Sequence, residues 1–522
     1  KMTEGKELIK YFCVPCKPTK SNGNRTRNRP CHDINKWETF KKYCMRDVDV
    51  ERQIADKLKM YPISDEEHRL YVLDQIINDR GVLVDSELAE QAVKLNSIQT
   101  AVAVEQAYMI TGLENPNSVT QLKQWLKENG VEIESLSKKA VKSLADETDG
   151  DVSEMLKLRL LMAKTSVKKY EAVIRSVCSD NRVHGMMRFC GANRTGRWSG
   201  NILQPQNLPQ NHLPDLTLAR DIVKDGDFEM LDMMFGNVPN VLSELIRTVL
   251  IPKPNHRFIV ADFSAIEARV LAWIAGEQWR IDTFKNGGDI YCASASKMFK
   301  VPVEKHGVNG ELRQKGKISE LACGYGGSVG ALKNMGAVEM GVQENELQGL
   351  INDWRNANPH IVRFWYEVGN AAMKAIKEKT TVPLGKLVFA YERGILFIRL
   401  PSGRRLSYIK PRIGTNRFGG DSITYMGINS AKKWDRLETF GGKLTENIVQ
   451  GTARDLLANA LINAANAGYD TVFHVHDEII CEVPNGYGSV DELCKLMCIK
   501  PEWADGLPLN ADGFECEYYK KE

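Results

Sequence analysis

Long hydrophobic runs are missing from this sequence, and their absence argues against one broad class of protein. No apolar stretch reaches the roughly 18 residues that a helix needs to cross a bilayer. The opening residues, KMTEGKELIK, also lack the apolar core of a secretory signal. We therefore expect a protein that neither spans a membrane nor uses one as a partner.

A regular cysteine pattern is also missing. The chain has 12 cysteines in 522 residues, without the regular spacing of a disulfide-stabilised secreted domain. This favours a reducing compartment, and we expect a cytoplasmic location, in the bacterial host if the chain is phage-encoded. Cys13, Cys16, Cys31 and His32 could form a zinc site, but their spacing is loose, so a segment without metal is the favoured alternative.

Net charge gives little information, because it is only +3 for the whole chain. The first 36 residues, however, contain nine Lys or Arg against three Asp or Glu. They include SNGNRTRNRP, which is typical of a mobile loop and could lie near phosphates. A solvated loop without a partner is an equal alternative. At 522 residues the chain predicts two to four domains, and it has no internal repeat.

Helical and strand patterns divide the chain into regions. A helix is predicted over DINKWETFKKYCMRDVDVERQIADKLKMYPI, ending at Pro62, and the segment from Ser64 to about Tyr170 is mostly helical. RFIVADF predicts a strand followed by a helix, and TVFHVHDEIICEV predicts two β-rich arms. A hairpin is expected around Pro401–Gly403, and GGKLTENIVQGTARDLLANALINAANAG predicts one long helix.

Asp262 and Asp477 each follow an apolar run that is typical of a strand. A carboxylate at a strand end is positioned by a rigid sheet yet faces open space. Two of them on neighbouring strands would suit Mg²⁺, which prefers oxygen ligands and retains water and substrate phosphates. Either residue alone would more often be a turn or cap residue; the pair favours a metal site.

Four residues between the two aspartates recur at helical spacing. Arg313, Lys317, Leu321 and Tyr325 are four positions apart, so they are predicted to share one helix face. Cations at one end and apolar or aromatic groups at the other would hold a triphosphate and a base. A solvated basic helix face is the alternative.

These motifs together resemble the family A DNA polymerases, which include bacterial DNA polymerase I. VADFSAIEARV is similar to motif A of that family, RQKGKISELACGYG to motif B and HVHDEI to motif C. RTGRWSGNILQPQNLP and ENIVQGTARDLL resemble two further family segments, and all five occur in the family order. Other phrases, including LPLNADGFECEYYKK, resemble polymerases of bacteriophages and prophages.

The resemblance implies the fold: an α+β multidomain protein shaped as a right hand, with helical thumb and fingers and a palm on a small antiparallel β-sheet. The expected divisions are 1–63 for a remnant of a 3′–5′ exonuclease domain, 64–190 for the thumb, 191–275 and 441–522 for the palm, and 276–440 for the fingers. The implied partners are primer-template DNA and deoxynucleoside triphosphates, with two Mg²⁺ ions as cofactors, which Mn²⁺ could replace. We expect a monomer, with replication accessory proteins left open.

The resemblance also implies roles for individual residues. Asp262 and Asp477, with Phe263, would bind metal, and Lys317 would be the general acid for pyrophosphate. The expected nucleotide-binding residues are Arg313, Lys317, Leu321, Tyr325, Glu267 and Tyr291. The expected DNA-binding residues are Arg197, Asn207, Gly326, Gln450, His476 and Glu478. Arg404 and Arg405 would contact backbone phosphate or lie in a solvated turn.

Three positions depart from the family pattern. Leu321 stands where the family usually has Phe or Tyr, which predicts discrimination against dideoxynucleotides. Ala265 and Tyr291 stand where bacterial relatives have Gln and His, so nucleotide contacts there would be remade or absent. Glu267 keeps the family residue that crowds a ribose 2′-OH, although an ordinary helix Glu paired with Arg269 or Arg313 is the alternative.

The N-terminal helix resembles the last motif of the proofreading exonuclease domain, through Tyr43 and Asp47. No strand-rich segment precedes the helix, we expect no D-x-E pair for that domain's metals within the first sixty residues, and Asp47 alone cannot assemble a two-metal site. We therefore predict no proofreading by this chain. The alternatives to a DNA polymerase are a single-subunit RNA polymerase, which Glu267 argues against, and an inactive DNA-binding derivative.

Overall fold

The computed structural model describes residues 4–162, 168–338, 340–416 and 419–521. The chain divides into two compact units, residues 1–71 and residues 72–522, and the boundary falls within helix α3, Asp65–Arg80. Within these described ranges, no helix is both long and apolar enough to cross a membrane.

The first unit is built on two helices, α1 Gly5–Cys13 and α2 Ile34–Leu58. The predicted helix before Pro62 is confirmed, and Asp33 caps it by accepting a hydrogen bond from the Lys36 main chain at 2.9 Å. Aromatic rings join the two helices, since Phe12 lies 5.2 Å from Trp37 and 5.5 Å from Phe40 between ring centroids.

The basic segment between α1 and α2 is held by its own polar groups. Asn22 donates to the carbonyl of Lys17 at 2.8 Å, and Asn28 donates to the carbonyl of Tyr11 at 3.0 Å. Asn side chains therefore satisfy main-chain carbonyls of this segment locally. Its mobility and its proximity to phosphates stay predictions.

The candidate zinc ligands do not converge. The Cys16 thiol contacts the carbonyl of Arg25, and the His32 ring accepts from the Arg29 main chain at 2.9 Å. No group of three or more His, Cys, Asp or Glu side chains arranged to hold a metal occurs within the described ranges.

Helices α4 to α20 lie in the second unit. Their bounds are α4 Ser86–Thr111, α5 Val119–Glu128, α6 Lys138–Glu147, α7 Gly150–Met162, α8 Lys168–Ser176, α9 Leu216–Asp225, α10 Phe228–Phe235, α11 Val238–Leu245, α12 Ile266–Ala275, α13 Gln278–Lys285, α14 Ile290–Phe299, α15 Leu312–Cys323, α16 Val329–Asn334, α17 Leu347–Ala357, α18 Pro359–Glu378, α19 Gly441–Asn466 and α20 Val490–Met497. The mostly helical segment predicted from Ser64 to about Tyr170 and the long helix predicted after residue 440 are both confirmed.

The strands form four antiparallel sheets. Their bounds are β1 Val82–Val84, β2 Arg182–Val183, β3 Met187–Arg188, β4 Ser199–Gly200, β5 Leu250–Ile251, β6 His256–Phe263, β7 Thr381–Leu384, β8 Leu387–Glu392, β9 Ile395–Arg399, β10 Arg405–Thr415, β11 Asp421–Ile428, β12 Trp434–Thr439, β13 Thr471–Val475, β14 Glu478–Pro484 and β15 Ala511–Cys516. The four-stranded sheet has the order β13-β14-β6-β15, and the six-stranded sheet has the order β12-β11-β10-β9-β8-β7.

Strand β6 is buried on both faces, which explains its unbroken apolar run. Phe258 and Val260 pack with α4, α9 and α11 into one core, whereas Ile259 and Ala261 pack with α12 and α19 into another. Because side chains alternate along a strand, Asp262 lies on the same face as Phe258 and Val260. The apolar row on that face therefore ends in a carboxylate.

The six-stranded sheet occupies residues 381–439, inside the range predicted as fingers. The predicted hairpin is confirmed as β9 and β10, where Arg399 pairs with Arg405 across the turn. The other four strands were not predicted. Helix α18 and the start of α19 cover one face of this sheet, with Phe364, Val368 and Leu444 in the shared core.

Candidate active site

The end of β6 brings two acidic residues of distant sequence side by side. Asp262 pairs directly with Glu478, the first residue of β14, so their side chains lie on the same face of the sheet. Asp477 lies in the two-residue turn between β13 and β14, and its carbonyl accepts from the Phe263 main chain at 3.3 Å. His476, the other turn residue, has a left-handed φ of 56° and an exposed side chain.

Burial outweighs the nearby positive charge at the carboxylates of Asp262 and Asp477. Burial, and then the neighbouring Asp477, raise the pKa of Asp262 to about 7. Burial raises the pKa of Asp477 to about 6. Asp262 Oδ1 is buried and accepts no hydrogen bond from the described part of the chain. Two hard oxygen ligands with an unsatisfied atom fit a divalent cation, which would restore both groups to their charged form.

Glu478 has a different environment from the two aspartates. Its side chain is buried and accepts from Tyr519 Oη at 2.8 Å and from Lys521 Nζ at 3.1 Å. Lys521 Nζ also lies 3.6 Å from Asp262 Oδ2. Glu478 is therefore held by the chain itself, and it links the metal-binding candidates to the segment after β15.

Glu267 lies in the first turn of α12 and has two partners. Arg197 donates to one carboxylate oxygen at 2.8 Å, and Tyr325 Oη donates to the other at 2.6 Å. Neither partner that the sequence suggested is used. Arg269 instead donates to the carbonyl of Ser264, and Arg313 pairs with Asp289 at 2.8 Å.

Helix α15 carries the first three residues of the predicted face, Arg313, Lys317 and Leu321. Tyr325 lies two residues beyond the helix end, although Gly324 between them keeps a helical conformation. Lys317 is exposed, and Leu321 is 52% exposed, which is unusual for an apolar side chain of this size. The outer part of α15 thus presents a cation and an apolar group to open space.

The aromatic ring of Tyr291, on α14, lies below the start of this face. Its centroid is 5.3 Å from the Arg313 guanidinium carbon. Burial, followed by Glu320 and Asp289, raises the pKa of the Tyr291 hydroxyl. Tyr291 therefore stays neutral and packs against the cation that is expected to bind phosphate.

The remaining DNA-binding candidates are dispersed around this site. Asn207 donates to Gln204 at 3.0 Å, Gln450 is half-buried in α19, and Gly326 has a left-handed φ of 79°. Arg404 does not lie in a solvated turn, since it pairs with the buried Asp455 at 2.6 Å. Arg405 is exposed and pairs with Glu392 at 3.2 Å.

Ala265 occupies the junction between β6 and α12. Its φ is 50°, in the left-handed region, and it provides no side-chain cap for the helix. Ala265 thus contributes through its main chain, which forms the sharp turn before α12. Glu267, two residues later, contacts Tyr325.

Comparison with known proteins decides the family. The sequence model of DNA polymerase family A matches residues 86–500. This chain belongs to that family.

Relatives agree with this family A assignment and with the predicted phage affinity. The DNA polymerase of Bacillus phage SP02 is 53% identical over 521 residues, covering 99% of this chain and 80% of the relative. DNA polymerase I of Rhizobium leguminosarum is 29% identical over 247 residues, covering 46% of this chain and 20% of that enzyme. The predicted resemblance to phage polymerases is thus confirmed.

A solved structure supports the fold. The POL domain of Pol1 from M. smegmatis, in complex with DNA primer-template and dNTP, matches with a TM-score of 0.60 and 19% identity. The match covers 99% of this chain and 79% of that chain. The predicted α+β polymerase fold is confirmed, and the family decides against the alternative of an RNA polymerase.

Several residues of this candidate site were not predicted from the sequence. Asp289 caps α14 by accepting from the main chain of Tyr291 at 2.8 Å and also pairs with Arg313. Its position after two glycines and before an apolar run is a helix-start signal that could have identified it. Tyr519 and Lys521 offered no such signal, because only the tertiary fold brings them beside Glu478.

Proposed function

We propose that Asp262 and Asp477 are the metal-binding and catalytic carboxylates of this DNA polymerase. The observation that carries the proposal is the pair of carboxylates with raised pKa values at the end of β6 and in the adjoining β13–β14 turn, with Asp262 Oδ1 left unsatisfied. Phe263 would add only its main chain, because its side chain is 2% exposed. Bound divalent ions, Mg²⁺ or Mn²⁺, would activate the primer hydroxyl and neutralise charge on the phosphates.

In the reaction the primer 3′-OH releases its proton to solvent, its oxygen bonds to the α-phosphorus of a deoxynucleoside triphosphate, and the bond from that phosphorus to pyrophosphate breaks. Arg313 and Lys317 bind the phosphates from one side of α15, and Lys317 gives a proton to the leaving pyrophosphate. Positioning and charge stabilisation supply most of the rate enhancement. Arg313 must then exchange its contact with Asp289 for the triphosphate.

The sugar and base of the incoming nucleotide are placed against Glu267, Leu321 and Tyr325. Glu267 is fixed by Arg197 and Tyr325, so its carboxylate is a rigid barrier where a ribose 2′-OH would lie. Leu321 offers an exposed apolar surface without a hydroxyl. The sugar is therefore selected at both its 2′ and its 3′ positions.

The primer-template duplex is proposed to bind through Arg197, Asn207, Gly326, Gln450 and His476. The M. smegmatis polymerase domain, which shares the fold, is in complex with DNA primer-template. The minor groove presents hydrogen-bond acceptors that are common to all base pairs. Side chains that bind them would test the shape of a base pair without reading its sequence. Glu478 is proposed to hold this region in place rather than to contact DNA, because its carboxylate already accepts hydrogen bonds from Tyr519 and Lys521.

The division into thumb, palm and fingers at residues 64–190, 191–275 with 441–522, and 276–440 is kept as part of the proposal. So are a monomeric state and a cytoplasmic location, and sedimentation of the purified chain tests the first. Proofreading is not proposed. The expectation that the first sixty residues contain no D-x-E pair was wrong, since Asp49 and Glu51 form one. This pair lies on helix α2 with both side chains exposed.

Primer extension with Mg²⁺ tests the central assignment. Asp262→Asn and Asp477→Asn should each reduce extension by several orders of magnitude, since each removes charge from the reacting centre. Asp435→Asn, an exposed carboxylate on β12, is the matched control and should extend primers as the native chain does. Full extension by either site variant would disprove the assignment.

A further inference from the structure

Lys521 places an ammonium group inside the carboxylate site. Its Nζ lies 3.1 Å from Glu478 Oε2 and 3.6 Å from Asp262 Oδ2, and its side chain is 28% exposed. The other oxygen of Asp262 is the buried one without a partner. One side of the aspartate therefore faces a cation of the protein itself, and the other side is unsatisfied.

The position of this ammonium is fixed by the segment that follows β15. The Lys521 main chain donates to Asn211 Oδ1 at 3.0 Å, and the Tyr519 main chain donates to the carbonyl of Leu250 at 2.8 Å. Tyr519 Oη donates to Glu478 and accepts from Arg247 at 3.1 Å. Lys521 is thus held at the site by hydrogen bonds in the residues around it.

The charges explain why a cation is stable there. Asp262, Asp477 and Glu478 are three carboxylates in a largely buried region, and isolated buried carboxylates are unfavourable. The Arg197 guanidinium is bound to Glu267, so Lys521 is the cation that contacts both Asp262 and Glu478. An opposite charge within about 4 Å stabilises the charged form of a carboxylate.

We propose that Lys521 is a counter-cation built into the polymerase site, and that a divalent ion displaces its ammonium from Asp262 on binding. This inference rests on the assignment of Asp262 as a metal ligand. It implies that the free enzyme binds metal weakly, because the ion competes with a tethered positive charge. The triphosphate, which brings negative charge of its own, would complete metal binding.

Metal binding by the free enzyme tests this directly, without any measurement of activity. The purified chain is freed of metal and titrated with Mn²⁺, and the free ion is quantified by electron paramagnetic resonance. Lys521→Met should bind the first Mn²⁺ at least about fivefold more tightly than the native chain, the effect of one screened unit charge near 4 Å. Lys521→Arg keeps the charge and should bind as the native chain does.

Lys520→Met is the matched control, since the same charge is lost one residue away. The Lys520 ammonium lies 5.6 Å from the Phe514 ring centroid, and the expected Mn²⁺ affinity is that of the native chain. Thermal unfolding in EDTA establishes that each variant is folded. Should Lys521→Met unfold, Lys521→Arg still decides, because tightened binding by that variant contradicts a role for the charge.

The outcomes separate this inference from the site assignment. Asp262→Asn should weaken Mn²⁺ binding, and unchanged binding by that variant would overturn both proposals. If Asp262→Asn weakens binding while Lys521→Met binds no more tightly than the native chain, only the counter-cation is wrong. Weaker binding by Lys521→Met would also overturn it, since the lysine would then help to form the metal site.

Discussion

Arg280 donates two hydrogen bonds to the carboxylate of Glu320, at 2.8 Å and 2.5 Å, and the two side chains are 0% and 5% exposed. Glu320 lies on α15, directly before Leu321, and also accepts from Trp354 Nε1 at 2.9 Å. One buried carboxylate therefore links α15, the helix proposed to bind the nucleotide, to α13 and α17. The orientation of α15 depends on this contact.

Removal of Glu320 should destabilise the polymerase strongly. Glu320→Ala leaves the Arg280 guanidinium buried without its counter-charge, and we expect a loss of about 3–5 kcal/mol in the free energy of unfolding. Urea denaturation measures it. Glu392→Ala, which breaks the exposed pair with Arg405, is the control and should change stability by about 1 kcal/mol or less. Similar losses for both variants would contradict the special role of the buried pair.

In the metal-free protein, ionisation of Asp262 should lower the free energy of unfolding as the pH rises from about 4 to about 7. The folded pKa of Asp262 is about 7 and its ordinary value is 3.8, so the folded state binds more protons than the unfolded state in this window. Asp262→Asn removes this penalty. Its unfolding midpoint in EDTA should exceed that of the native chain at pH 8, and the difference should shrink at pH 5.

Circular dichroism at the two pH values measures these midpoints, with Asp435→Asn as the control. That variant should differ from the native chain equally at pH 5 and pH 8, because its carboxylate is exposed. If Asp262→Asn differed from the native chain equally at both pH values, burial would not raise the pKa of Asp262 in the folded protein.

Leu321→Tyr should increase the use of dideoxynucleotides. A tyrosine hydroxyl could replace the contact that a missing 3′-OH leaves empty, and we expect a gain of roughly tenfold or more relative to deoxynucleotides. Leu321 is 52% exposed, so a larger ring fits without disturbing the core. Leu321→Phe supplies the ring alone and separates its shape from its hydroxyl. Equal discrimination by the native chain and Leu321→Tyr in single-nucleotide incorporation assays would refute the prediction.

Glu267→Ala should admit ribonucleotides, by roughly tenfold or more relative to the native chain, because it opens the space that the carboxylate fills. The change also frees Arg197 and Tyr325. Tyr325→Phe is therefore the control, since it removes one hydrogen bond and leaves the Glu267 carboxylate in place. Competition between labelled ribonucleotides and deoxynucleotides measures both, and a similar rise in both variants would assign the effect to Tyr325.

Sequence reasoning was most successful where a residue pattern is local. The run RFIVADF predicted β6 because both of its faces are buried, and the four-residue spacing of Arg313, Lys317 and Leu321 predicted α15. The six-stranded sheet was mostly missed, because strands such as β12 are largely exposed and carry no continuous apolar signal.

Contacts between distant segments were beyond the sequence for a different reason. Glu267 pairs with Arg197 rather than with Arg269 or Arg313, although the latter two are equally suitable cations. The choice depends on the turn at Ala265 and on the path of the preceding segment. Charge and spacing alone do not encode such a path. For the same reason they could not predict that Lys521 lies beside Asp262.

The strand order of the four-stranded sheet has a consequence for biosynthesis. Asp262 lies on β6, between β14 and β15, and both neighbours are translated long after it. A ribosome-bound chain that has already produced α15 still lacks Asp477, Glu478 and Lys521. During synthesis Asp262 therefore lies on a strand without either of its neighbours, and the proposed pair of Asp262 and Asp477 can form only after β14 has been made.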